Sequence, residues 1–214
     1  NNAVLLGCAL QLSGCDALHA AEFHFCGNVG PLKLSAALTQ QVADAGNAVM
    51  AEWSVAGLFG IDFVVRDGRP FVVEVNPRPT ASHELHELAQ PGLPGHVLLQ
   101  LWPTAQKSLQ AAEANETDAV CSGCQNERHD CTARFVIYAD QDVEICSALE
   151  TELLKYRADG RRRALQSFWL ADIPSSDTSI PAGTPLCSLY ADLSAKDLQF
   201  SELGPLLELL PLSG

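Results

Sequence analysis

Five side chains able to do chemistry lie within one short stretch, GIDFVVRDGRPFVVEVNPRP, residues 60–79. They are Asp62, Arg66, Glu74, Asn76 and Arg78. Two carboxylates and a carboxamide supply oxygen donors, the kind a hard divalent cation such as magnesium takes, with phosphate oxygens completing its shell. Two guanidiniums supply planar forks that match carboxylate or phosphate geometry. The competing reading is a solvated polar face on which Arg66 and Arg78 neutralise the acids, and Arg78 pairs with Glu74 or Glu84. Exposed ion pairs of that kind are ordinary and contribute little.

A second group is CSGCQNERHDC, residues 121–131. Cys121, Cys124, His129 and Cys131 are ligand types that zinc accepts, beginning with a Cys-x-x-Cys pair. No second Cys-x-x-Cys follows, so a variable loop with free thiols competes with a zinc site. In SHELHE, residues 82–87, His83 and His86 are three apart and share a face if the segment is helical. Substrate contact or proton transfer is one reading, and a surface position is the other. Gly27, Asn28 and Gly30 read as a loop able to approach a ligand closely, or as a plain turn.

The elements that would hold the first group follow from alternation. Ile61, Phe63 and Val65 alternate with Asp62, Val64 and Arg66, and Phe71, Val73 and Val75 alternate with Val72, Glu74 and Asn76. Successive strand side chains point to opposite faces, so residues 60–76 read as a hairpin with an apolar face on the core. A two-residue turn at Asp67-Gly68 alone would set Asp62 opposite Val73 and mix the faces. A three-residue turn or a bulge sets Asp62 opposite Glu74, and burial should select that register. Opposed like charges destabilise a strand pair, so a cation or an arginine is expected beside them.

Around the hairpin, residues 3–12 and 22–31 read as strands, and residues 33–50 as a helix with Leu34, Ala37, Leu38, Val42 and Ala45 at helical spacing. Pro31 reads as an early stop more readily than Ser35 reads as a cap, and Gly46 as the helix's end or a weak point within it. Residues 82–90 read as a short helix with Glu84 and Glu87 near its start. Residues 133–139, 166–173 and 186–191 read as strands, and 195–210 as a closing helix broken at Gly204-Pro205. Residues 105–131 lack apolar periodicity and read as a linker or surface insertion.

With 214 residues, 47% hydrophobic and 18% charged, the chain can bury a core. A net charge of −13 excludes an overall basic footprint for nucleic acid. No apolar run reaches the roughly 18 residues of a membrane span, and no secretory signal pattern opens the chain. The eight cysteines are mostly scattered in apolar contexts, which suits reduced thiols in a cytoplasmic protein. The chain opens on Asn1 and its one methionine is Met50, which suits a fragment or processed chain.

The string GIDFVV…GRPFVVEVNPRPTAS resembles the metal-binding end of the ATP-grasp superfamily, which carries an acid on one strand and Glu-x-Asn on the next, usually followed by Pro-Arg. Looser resemblance extends to FHFCGNVGPL upstream, and to ARFVIYADQDVEI and ADIPSSDTSIPAGTPLCSLYA downstream. The resemblance implies an α+β fold: a C-terminal ATP-grasp subdomain at 1–104 with an antiparallel sheet and helices on one face, an insertion at 105–131, and a small α/β, mostly β, tail at 132–214. It implies ATP and Mg2+ (or Mn2+) as cofactors, with Asp62, Glu74 and Asn76 as metal ligands. It assigns Arg78 to nucleotide binding and catalysis, steadying the transferred phosphoryl group. The implied reaction activates a carboxylate as an acylphosphate and joins it to an amine or other nucleophile, both small molecules. The family's ATP-binding lysines precede this region, and here the lysines are Lys33, Lys107, Lys155 and Lys196. The chain is therefore expected to be the C-terminal part of such an enzyme and to bind magnesium-ATP weakly alone. A non-catalytic interaction module on the same scaffold and a small zinc-binding module are the rivals.

Overall fold

The computed structural model of the chain describes residues 2–53, 55, 57–89, 131–157 and 168–193. It is an α+β protein whose sheets are antiparallel throughout the described residues. The chain divides into two compact units. Among the described residues, one unit holds 2–8 and 32–89, and the other holds 9–31, 131–157 and 168–193.

In chain order the strands are β1 (Leu10–Ser13), β2 (Phe25–Gly30), β3 (Gly60–Arg66), β4 (Arg69–Asn76), β5 (Cys131–Tyr138), β6 (Val143–Ile145), β7 (Phe168–Ala171), β8 (Thr178–Ile180) and β9 (Pro185–Leu193). The α-helices are α1 (Ala36–Trp53), α2 (His83–Ala89) and α3 (Ser147–Leu154).

The first unit contains α1, the β3–β4 hairpin and α2. Ser35 caps α1: its Oγ accepts from the Leu38 N–H at 3.3 Å and its carbonyl accepts from the Thr39 N–H at 2.9 Å. The cap thus falls on the residue that sequence signals ranked below Pro31, because a side-chain oxygen satisfies an N–H that the first turn leaves open. Gly46 does not end the helix. It is buried within α1, where a Cβ would come 3.3 Å from the Ala3 side chain. The Ala3 N–H donates to Asn47 Oδ1 at 2.8 Å, which ties the extended segment at 2–8 to α1.

The second unit is a five-stranded sheet in the order β1-β2-β5-β9-β7, with β6 and β8 paired separately. Its register sets Val29, Ala133, Phe135, Ile137, Cys187, Leu189 and Leu170 on one face. These residues pack with Leu18, Ile145, Leu153 and Ile180 into one apolar core. The strand expected over 3–12 is shorter, forming only at Leu10–Ser13. A domain boundary drawn at residue 104 would group residues 9–31 with the hairpin, whereas backbone pairing joins β2 to β5. Long-range hydrogen bonding decides this grouping, and a composition change along the chain does not report it.

The helix expected at 195–210 and the insertion at 105–131, apart from Cys131, lie outside the described residues. Among the described residues no helix is long and apolar enough to cross a membrane.

Gly27 sets the spacing between β2 and β5. A Cβ there would lie 2.3 Å from the Arg134 carbonyl oxygen and 3.2 Å from Phe135 Cα, both backbone atoms that cannot turn aside. Gly27→Ala is expected to lower the urea-unfolding free energy by about 3 kcal/mol, the upper end for overpacking a filled site. A loss below about 1 kcal/mol would show that the two strands part at little cost.

Candidate functional site

The hairpin turns through Asp67 and Gly68, both at positive φ, 52° and 71°. That is the two-residue turn whose twist matches the flanking strands, and Asp-Gly suits it because glycine carries no Cβ penalty there. Arg66 faces Arg69, Val65 faces Pro70, Val64 faces Phe71 and Phe63 faces Val72. The register then shifts, and beyond the shift Asp62 faces Glu74, Ile61 faces Val75 and Gly60 faces Asn76. The tight turn and the bulge therefore coexist, with Val73 as the extra residue.

The bulge changes the faces expected from simple alternation. Phe71 opposes Val64, on the side of Asp62, and Val72 opposes Phe63 on the other side. Nor is the apolar face uniformly on the core. Val65, Phe71 and Val73 are exposed, while Ile61, Phe63 and Val75 are partly buried. Burial is concentrated at the base of the hairpin, where the two carboxylates and Asn76 lie.

Asp62 is partly buried, Glu74 is exposed and Asn76 is 8% exposed. The Asn76 Nδ2 donates to Asp62 Oδ2 at 3.4 Å, a long bond that leaves the carboxamide oxygen for another partner. Arg66 does not compensate the pair: it sits at the tip, 3.8 Å from Asp67, with both side chains in water. Arg78 is exposed, and its guanidinium donates to the Pro79 carbonyl at 3.2 Å. Among the described residues it forms no ion pair with Glu74. Two directly opposed carboxylates without an arginine between them, with a carboxamide oxygen alongside, form a donor set that fits a hard cation. Among the described residues no three His, Cys, Asp or Glu side chains converge, so a metal here would draw on the Asn76 oxygen and on ligand oxygens.

The chain leaves β4 through Pro77, Arg78, Pro79 and Thr80 and enters α2. The Arg78 N–H donates to the Asn76 carbonyl at 2.8 Å, which fixes a tight bend. His83 and His86 are both buried, at 8% and 5% exposure, and so are not surface residues. The His86 ring lies against Gly7, where a Cβ would come 2.5 Å from its Cε1 and Nδ1. Gly7 joins this region without a sequence signal of its own, because only folding brings it beside α2.

Gly27, Asn28 and Gly30 are not a loop but lie within β2, buried in the sheet. In the same unit Arg134 donates to Asp172 Oδ2 and to Ser188 Oγ, each at 3.2 Å. The Ser188 hydroxyl donates to Asp172 Oδ2 at 2.6 Å. This network became visible only through the register that aligns β5 with β9. Of the proposed zinc ligands, Cys121, Cys124 and His129 lie outside the described residues. Cys131 opens β5 and donates from Sγ to the Pro31 carbonyl at 3.4 Å. Burial, with Asp172 nearby, pushes the Cys187 thiol up to about 12.

Residues 2–82 match the family model of the ATP-grasp domain. Among solved structures the chain is similar to the L-amino acid ligase from Bacillus licheniformis, at 14% identity and a TM-score of 0.51. The similarity covers 87% of this chain and 45% of that one, so the chain spans less than half the length of that ligase. No curated protein matches. The family match is thus confined to residues 2–82, and the α+β fold of the chain is similar to that of the ligase.

Burial, and secondarily the neighbouring His83, hold the His86 imidazole below its ordinary value. The unfolded state then binds the proton more readily, so this contribution to stability is intact above the ordinary histidine value and is lost as pH falls below it. The urea midpoint is expected to drop between about pH 7 and pH 5, and to drop less in His86→Leu. Equal slopes in the two proteins would remove His86 as the cause.

Proposed function

We propose that this chain is the metal- and phosphoryl-facing portion of an ATP-dependent ligase of ATP-grasp type. Asp62, Glu74 and Asn76 would hold one or two Mg2+ (or Mn2+) ions on ATP, and Arg78 would bind the transferring phosphoryl group. The observation that carries this reading is the bulged register that sets Asp62 opposite Glu74 beside Asn76. The ATP-grasp match over 2–82 and the ligase identity of the structural neighbour support it.

The reaction follows from the charges. A substrate carboxylate oxygen attacks the γ-phosphorus of ATP, forming an acylphosphate and releasing ADP. An amine or other nucleophile then attacks the acyl carbon, forms the new bond and expels phosphate. Negative charge spreads over the phosphoryl oxygens during the first step, so catalysis is chiefly positioning and electrostatic stabilisation. The bound cation would supply charge neutralisation on the phosphates. Arg78 is suited to its part because its guanidinium is exposed and its only partner in the described residues is the neutral Pro79 carbonyl. Its fork would match two phosphoryl or acylphosphate oxygens at once. Small carboxylates and amines are the substrate classes this chemistry joins.

The test is acylphosphate trapping. The complete enzyme of which this chain is the proposed portion is incubated with ATP, Mg2+ and a panel of carboxylic acids that includes L-amino acids, and hydroxylamine converts any acylphosphate to a hydroxamate. Hydroxamate that requires both ATP and Mg2+ is expected with at least one acid. Glu74→Gln and Asn76→Ala should each lower its rate by about 100-fold or more, about 2.7 kcal/mol of barrier. Glu74→Gln should leave the thermal midpoint nearly unchanged, since that side chain is exposed. Variant rates within about threefold of the parent, under about 1 kcal/mol, would make the oxygen set structural.

A further inference from the structure

The segment between the Glu74/Asn76 strand and α2 carries Arg78, and its composition leaves it few ways to be held. Pro77 and Pro79 have no backbone N–H. Of the remaining donors, that of Arg78 goes back to the Asn76 carbonyl at 2.8 Å. That of Thr80 goes forward, to Nδ1 of His83 at 2.7 Å. The imidazole thus closes the segment from its far end, three residues on.

The donor is unambiguous because an amide N–H cannot accept. In that bond Nδ1 offers its lone pair, as it does in the tautomer with the ring proton on Nε2, whereas the other tautomer would donate from Nδ1 to the Thr80 carbonyl. The Thr80 carbonyl also lies 3.0 Å from Nδ1, and it accepts from the His83 backbone N–H at 3.1 Å. His83 is 8% exposed, so the bond is shielded from competing water.

Thr80 is in turn seated on the hairpin. A Cβ added to Gly60 would lie 2.6 Å from Thr80 Cγ2 and 3.0 Å from its Oγ1, so the threonine side chain occupies the space that glycine leaves. Gly60 is the cross-strand partner of Asn76. Thr80 Oγ1 is also 3.0 Å from Ser82 Oγ. The contacts therefore form a closed circuit: Asn76 to Gly60 by pairing, Gly60 to Thr80 by packing, Thr80 to His83 by hydrogen bond, with Arg78 suspended inside it.

We infer that His83 is a positioning residue: through Thr80 N–H it locks the 77–82 segment onto Gly60, and so holds Asn76 and Arg78 in place. It is neither a substrate contact nor a proton carrier. Its consequence for metal binding rests on the oxygen-ligand reading proposed above, whereas the bond to Thr80 can be tested independently of that reading.

The discriminating variants are His83→Asn, His83→Gln and Gly60→Ala. Asparagine can set its Oδ1 where Nδ1 stands, while glutamine reaches instead toward the Nε2 position. Two measurements are made on the whole chain: amide hydrogen exchange at Thr80, and Mn2+ binding followed by electron paramagnetic resonance. His83→Gln is expected to lose Thr80 amide protection and to weaken Mn2+ binding by about tenfold, the lower end for loss of an outer-shell partner. His83→Asn should keep Thr80 protected and stay within about twofold of the parent for Mn2+. Gly60→Ala should weaken Mn2+ binding, and adding Thr80→Ala should restore part of it, because that change removes both close atoms and leaves only Cβ at 3.4 Å. Equal Thr80 protection in His83→Gln and the parent would overturn the inference, as would equal damage from asparagine and glutamine. If the parent binds no Mn2+, the metal reading fails by itself. Thr80 exchange in the three variants then still decides whether His83 holds the segment.

Discussion

The direct opposition of Asp62 and Glu74 is the constraint around which the hairpin is arranged. Two carboxylates facing each other across a strand pair repel, and a sequence selected only for strand stability would avoid them. The turn does not produce that arrangement. Asp67 and Gly68 pair Arg66 with Arg69, and counting back from there brings Asp62 to Val73. One extra residue at Val73 moves Asp62 to Glu74, and it does so where the chain is 69% exposed, so little apolar burial is lost. Bulges re-aim side chains in this way near functional sites. The same residue turns Phe71 and Val72 to faces that strict alternation would not assign them.

What lies C-terminal to the bulge is held by close approach. Gly7 admits the His86 ring, Gly46 admits Ala3 and Gly60 admits Thr80. None of the three has a positive φ, so each is glycine for space and not for backbone freedom. They bring the extended segment, α1, the hairpin base and α2 into contact with one another at small cost in ordered side chains. The hairpin's far half lacks such contacts, and Val64, Val65, Phe71, Val72 and Val73 are all exposed there.

The second unit is organised differently. Its five-stranded sheet has one face of aliphatic residues packed on Leu18, Ile145, Leu153 and Ile180. The opposite face carries the row Gln11, Asn28, Arg134, Tyr190 and Trp169. Trp169 stacks on Tyr190 with ring centroids 5.3 Å apart, and the Arg134 guanidinium lies 5.8 Å from the Tyr190 centroid. Asp172 and Ser188 both accept from the Nη2 of that guanidinium. A charge in a buried setting needs such partners, so this network reads first as the means by which the sheet tolerates Arg134.

The sequence by itself determined the existence of the β3–β4 hairpin, the two carboxylates and the carboxamide of Asp62, Glu74 and Asn76 within it, and the ATP-grasp resemblance. These are local properties: alternation, turn chemistry and residue type at fixed spacing are all written within twenty consecutive residues. The strands near 25–30, 133–139 and 186–191 and the helix near 33–50 were legible for the same reason. Only the tertiary structure decided where the bulge falls, since both a bulge and a longer turn satisfy the same pattern. It alone joined β2 to β5 across roughly a hundred residues of chain, a pairing fixed by hydrogen bonds that no local window contains. It alone turned His83 from a plausible surface histidine into a buried acceptor for Thr80, because burial depends on what the rest of the chain lays over a side chain.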